Sequence, residues 1–143
     1  LASGFYIANF KINFFRQLDI INQGYFVMDV SPQDGVREVD SRENVVIRFS
    51  SLLDKNTINS DHIKVKYQDD PSRCCEINDL EVVFQYDAES YLLEIDPVLP
   101  WEAGRTVIVE ITDGLKNIDG NLLVRNVADK NSTGRYKFSF IAY

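Results

Sequence analysis

Cys74 and Cys75, the two cysteines of the chain, stand side by side in YQDDPSRCCEINDLE. A disulfide between neighbours closes a small strained ring, because bridge geometry wants Cα atoms farther apart than one peptide comfortably allows. The alternatives are a vicinal bridge, a link to another chain, or two free thiols. In an exported protein oxidation is the expectation. The single histidine, His62, has no Ser, Cys or carboxylate arrangement around it in sequence and reads as a surface or strand-end residue. No G-x-S-x-G, H-E-x-x-H or P-loop pattern occurs, so no catalytic residue is expected. With one His and one adjacent Cys pair, no metal site or cofactor is expected either.

Three further spots carry a binding reading beside a plainer one. In DGLKNIDGN, Asp113, Asn117, Asp119 and Asn121 are hard oxygen donors suited to calcium, but the EF-hand spacing and its closing Glu are missing. Asp-Gly and Gly-Asn also serve an ordinary turn, which is the expectation. Trp101, following Pro100, could stack on a sugar together with Tyr91, making carbohydrate a possible partner. Core or edge packing is the favoured role for that indole. Asn131 opens an Asn-Ser-Thr sequon, which matters only in a eukaryotic secretory host.

The elements that must position these residues are strands. From Val30 onward the apolar period is two: Val45, Ile47 and Phe49; Ile63, Val65 and Tyr67; Val82, Phe84 and Tyr86; Tyr91, Leu93 and Ile95; Val107, Val109 and Ile111; Tyr136, Phe138 and Phe140. The turn clusters SPQDG, YDAES, LPWEAG, NIDGN and NSTG separate them. One helical turn is expected at LLDKNTI, with Asp54 capping a run to Ile58. Many short half-buried strands with regular punctuation indicate an all-β antiparallel sandwich. A length of 143 residues suits one such domain with a short extension. The net charge of −7 argues against a nucleic-acid partner, since phosphate binding needs a basic surface.

The order of these signals is specific. VSPQDGVREVDSRENVVIRFSSLLDKNTIN is followed by YDAESYLLEIDPVLPWEAGRTVIVEIT, then GLKNIDGNLL, then GRYKFSFIAY. This resembles the bacterial Ig-like domain of the SbsA (S-layer) type found in cell-surface proteins. The resemblance implies an Ig-like antiparallel β-sandwich of about seven strands, in a bacterial protein that is extracellular or at the cell surface. It also implies a structural or adhesive role without catalysis, commonly in tandem with neighbouring domains. YQDDPSRCCEINDLE departs from the pattern by its length and polarity. VSPQDG reads as the opening of the module, which divides the chain into an extension over 1–26 and a domain over 27–143.

The extension is too apolar to be a solvated tail. Residues 1–28 hold 7 of the 17 aromatic side chains and only Lys11, Arg16 and Asp19 as charges. Asn9, Lys11, Asn13, Arg16 and Asp19 interrupt it too often for a membrane span. NFKINFF (9–15) matches RYKFSFI (135–141) position by position, so a strand is favoured over the helix that Ile7, Phe10, Phe14, Leu18 and Ile21 could also form. The first residue is Leu rather than Met, as in a processed chain or a piece of a longer one. Such a strand needs a sheet edge. It completes a preceding domain, packs on its own, or pairs with a neighbouring copy through Phe10, Ile12, Phe14 and Phe15. The last case would be donor-strand complementation and would give a pilus-like filament.

Overall fold

The structure, a computed structural model, describes residues 25, 27–73, 78–126, 129–133 and 135–143. Alternation decides the layers. In β1 (Val27–Ser31), β2 (Val45–Phe49), β3 (Ile63–Tyr67), β4 (Val82–Asp87), β5 (Leu92–Pro97), β6 (Thr106–Ile111) and β9 (Tyr136–Ile141), every second side chain turns to one side. Val45, Ile47, Phe49, Leu93 and Ile95 of one sheet meet Ile63, Val65, Val107, Val109, Ile111, Phe138 and Phe140 of the other in a single buried core. Outward positions such as Arg48 and Lys64 remain in solvent.

The sheets order as β1-β2-β5-β4 and β3-β6-β9, and the neighbouring strands pair antiparallel. Four strands against three in this order is the constant-type immunoglobulin sandwich. A shorter ribbon, β7 (Val124–Asn126) with β8 (Asp129–Thr133), is inserted between β6 and β9. The turn expected over LLDKNTI is there as a 3-10 helix over Lys55–Thr57, and the Asp54 carboxylate accepts the Asn56 N–H at 3.0 Å.

Two local expectations change, at NSTG and Tyr91. VSPQDG covers the end of the strand Val27–Ser31 and the turn after it. After Ser31 the chain passes through a cis bond to Pro32 and crosses to the other sheet, where Gly35 N–H donates to the Ser139 carbonyl and Asp34 accepts from Ser139 N–H. The packed body already includes Tyr25, ahead of that strand. Its ring is fully buried edge-on to Phe49 at 5.8 Å, and its hydroxyl donates to the Leu115 carbonyl at 2.7 Å. NSTG, read as a turn, instead supplies residues 131–133 to β8. Tyr91, read as inward on a strand, sits in the turn before β5 at φ 59 and is exposed. Asp87 holds that turn by accepting from Glu89 N–H and Ser90 Oγ, which forces the left-handed backbone on the next residue.

The domain has two poles. β6 and β9 pair with Thr106 opposite Ile141 and Ile111 opposite Tyr136. Tyr143 therefore lies beyond the Thr106 end, while Tyr25 contacts Leu115 beyond the Ile111 end.

Candidate functional site

Each residue singled out for chemistry has a position that can be read directly. His62 Nδ1 lies 2.8 Å from the Thr57 carbonyl, and its ring packs so closely on Gly114 that a Cβ there would come within 2.0 Å of Cδ2. The histidine is a structural strand-end residue. Trp101 is 2% exposed, donates from Nε1 to the Glu43 carbonyl at 2.8 Å, and meets Phe140 edge-on at 5.5 Å. A ring enclosed in this way offers no face to a sugar, so the stacking platform of Trp101 with Tyr91 is not formed.

Asn117 is buried, and its Oδ1 accepts from Asp119 N–H at 3.1 Å and Asn121 N–H at 2.8 Å. Its Nδ2 donates to Ser51 Oγ at 3.2 Å. Gly120 takes φ 82, which closes the turn. The side chain that would head a calcium loop is spent on the turn itself, and no cluster of three or more metal-binding side chains occurs among the described residues. Cys74, Cys75, Phe10, Ile12, Phe14 and Phe15 lie outside the described residues.

The structure adds a polar network on both flanks of 74–77 that the sequence reading missed. Arg105 is 9% exposed, with its guanidinium carbon 4.2 Å over the Tyr67 ring. It donates to Asn78 Oδ1 at 3.1 Å and pairs with Glu102 at 3.5 Å. Glu102 also takes Arg73 at 2.6 Å, and its backbone N–H donates to the Tyr67 hydroxyl at 2.7 Å. Asn78 in turn donates to Asp69. The Arg73 hydrogen bond pulls the Glu102 carboxyl below its usual range, and hydrogen bonds from Ser72 do the same for Asp70. The arrangement fastens the polar insertion to the β5–β6 connection. Nothing in the spacing of Arg73, Glu102 and Arg105 announces it, because Tyr67 and Asn78 come from other elements.

The two long sides of the sandwich differ. Beside β9, residues 35–39 run parallel to the strand. Gly35 and Val39 N–H donate to the Ser139 and Ile141 carbonyls, and Ile141 and Tyr143 N–H donate to Val36 and Val39. On the other long side residues 78–80 pair antiparallel with β3, through Tyr67 N–H to the Asn78 carbonyl and Leu80 N–H to the Val65 carbonyl, and clefts of about 380 and 420 Å³ both touch Asp79, Leu80 and Glu81.

A family model described as bacterial Ig-like domain matches residues 22–140. The chain belongs to that family. Its first matched residues include Tyr25, in agreement with the packing of that ring. No curated protein sequence matches the chain. Among solved structures, PcoC, a methionine-rich copper resistance protein from Escherichia coli, is similar at TM-score 0.60 and 16% identity, over 84% of this chain and 99% of that one. Domains 1–6 of the surface layer protein SbsC are similar at TM-score 0.51 and 13% identity, over 82% of this chain and 14% of that one. CopC from Methylosinus trichosporium OB3b is similar at TM-score 0.50 and 16% identity, over 83% and 95%. At these identities the likeness is one of fold. This Ig-like domain has one methionine, whereas PcoC is methionine-rich. Among the described residues no helix is long and apolar enough to cross a membrane.

Proposed function

We propose that this Ig-like domain is a non-catalytic structural module of the bacterial cell surface that carries tension along its long axis. One observation carries the reading: Tyr25 and Tyr143 lie at opposite poles, and between them residues 35–39 and β9 are joined by a parallel ladder. Tension that draws Tyr25 and Tyr143 apart pulls residues 35–39 and β9 in opposite directions along their own axes. The four backbone hydrogen bonds between them are then loaded together rather than one after another. The family and the fold likeness to a surface layer protein support the location. The His62, Trp101 and Asn117 side chains, each occupied in holding the fold, support the absence of catalysis.

The donor-strand alternative meets a filled position in the sandwich. The place beside β6 that a strand resembling β9 would take is held by β9 itself. The test of the load-bearing reading is single-molecule extension from the two ends. Val39→Pro removes the N–H that bonds Ile141 and should lower the unfolding force. An unchanged force would contradict the reading.

A further inference from the structure

We propose that residues 9–15 of the same chain add as a strand along the edge of β4 that faces away from β5, an edge with no partner strand among the described residues. Among the described residues β4 ends its sheet, and the alternation of its bonds fixes what that edge offers. Val98 N–H bonds the Glu81 carbonyl, so Val82 and Pro97 form a non-hydrogen-bonded pair. The backbone groups of Phe84 and Tyr86 therefore point away from β5, toward the edge. The side chains on this strand are also incompletely covered: Val82, Phe84 and Tyr86 are half-buried, whereas Leu93 and Ile95 on β5 are fully buried. An edge whose outward backbone groups have no partner among the described residues, beside half-covered aromatic side chains, is a template for one more strand.

The occupant is chosen by composition, charge and reach. Phe10, Ile12 and Phe14 alternate, which gives an added strand one apolar side to lay along the cleft. Lys11 and Arg16 make 1–24 net positive despite Asp19, while Asp61, Asp79 and Glu81 outnumber Lys64 in the cleft wall. Tyr25 is anchored beside Phe49 at the end of β2, two strands from β4, or about 10 Å across the sheet. Residues 16–24 extend to about 30 Å, so the segment reaches the edge without leaving its own domain. Short tethers give effective concentrations in the millimolar range, so the chain's own strand outcompetes one from a second copy at micromolar protein.

The test is hydrogen exchange, read by mass spectrometry on the full chain and on full-length F10S/I12S/F14S, with light scattering on both. The expected result is a tenfold or greater acceleration over 82–87 in the variant, with β2 and β6 amides unchanged and both proteins monomeric. Equal exchange over 82–87 in the two proteins overturns the proposal. Protection that grows with concentration, alongside a dimer, also overturns it, since the strand then comes from a neighbour. Should the triple variant lose protection in β2 as well, full-length K11E/R16E decides. Faster exchange over 82–87 at low salt supports the seat, and an unchanged rate overturns it.

Discussion

Replacing Tyr25 by Phe tests whether residue 25 belongs to the folded body. The ring stays and only the hydroxyl goes, so the change isolates the 2.7 Å bond to the Leu115 carbonyl. Both residues are fully buried, and a carbonyl stripped of a buried partner costs about 1–3 kcal/mol. Tyr25→Ala removes the ring as well, including its edge contact with Phe49, and should cost about 3–5 kcal/mol. Urea unfolding followed by fluorescence of Trp101, the only tryptophan, reports both. The midpoint should fall at an unchanged m-value. Burial pushes the Tyr25 phenol well above its ordinary value. A raised folded pKa stabilises below the unfolded value of about 10 and is lost as pH rises above it, because only the unfolded chain then ionises. The Phe variant should lose stability less steeply in that alkaline range. If neither variant shifts the midpoint, the body starts after residue 25 and the reasoning fails.

Other perturbations follow from single contacts. Trp101→Ala should cost about 3–5 kcal/mol by urea unfolding, since it empties a buried site and orphans the Glu43 carbonyl. Gly114→Ala drives the His62 ring off Thr57 and should cost about 1–3 kcal/mol, and the cost measured in a His62→Ala background should be smaller. Glu102, Asp70 and Asp87 all titrate below their usual range, held by Arg73, Ser72 and Ser90. Their stabilisation is present above the unfolded carboxylate values and lost as pH falls below about 4, a slope that Glu102→Gln should flatten in an acid titration followed by circular dichroism. Millimolar calcium should leave Tm unchanged, because Asn117 already bonds its own turn.

The core was legible because burial follows a period of two. The inward triplets of β2, β3 and β6 are buried as alternation requires, as are Phe138 and Phe140 of β9. What alternation leaves open is how fully a neighbour covers a strand. Val82, Phe84 and Tyr86 carry the same pattern as Val107, Val109 and Ile111, yet they lie on an edge and stay half-buried. Tyr91 was misread because Asp87 and Ser90 prolong the turn into an apolar run. The ribbon β7–β8 lies in a polar stretch with no apolar period to reveal it. The Arg105 network depends on Tyr67, Asn78 and Glu102 arriving from separate elements, which is information that only the folded chain holds.

The most direct test of a load-bearing module is the dependence of unfolding force on direction. The domain would be extended between Tyr25 and Tyr143, and separately between Tyr143 and a cysteine handle placed at the exposed Asp40, just after Val39. Extension between the ends shears the whole ladder between 35–39 and β9. Extension from Tyr143 and residue 40, which lie together at one end of the parallel ladder, loads the same bonds across the strands and opens them one by one. The account predicts a clearly higher unfolding force for the end-to-end direction. Equal forces in the two directions, or a lower force end to end, would contradict it.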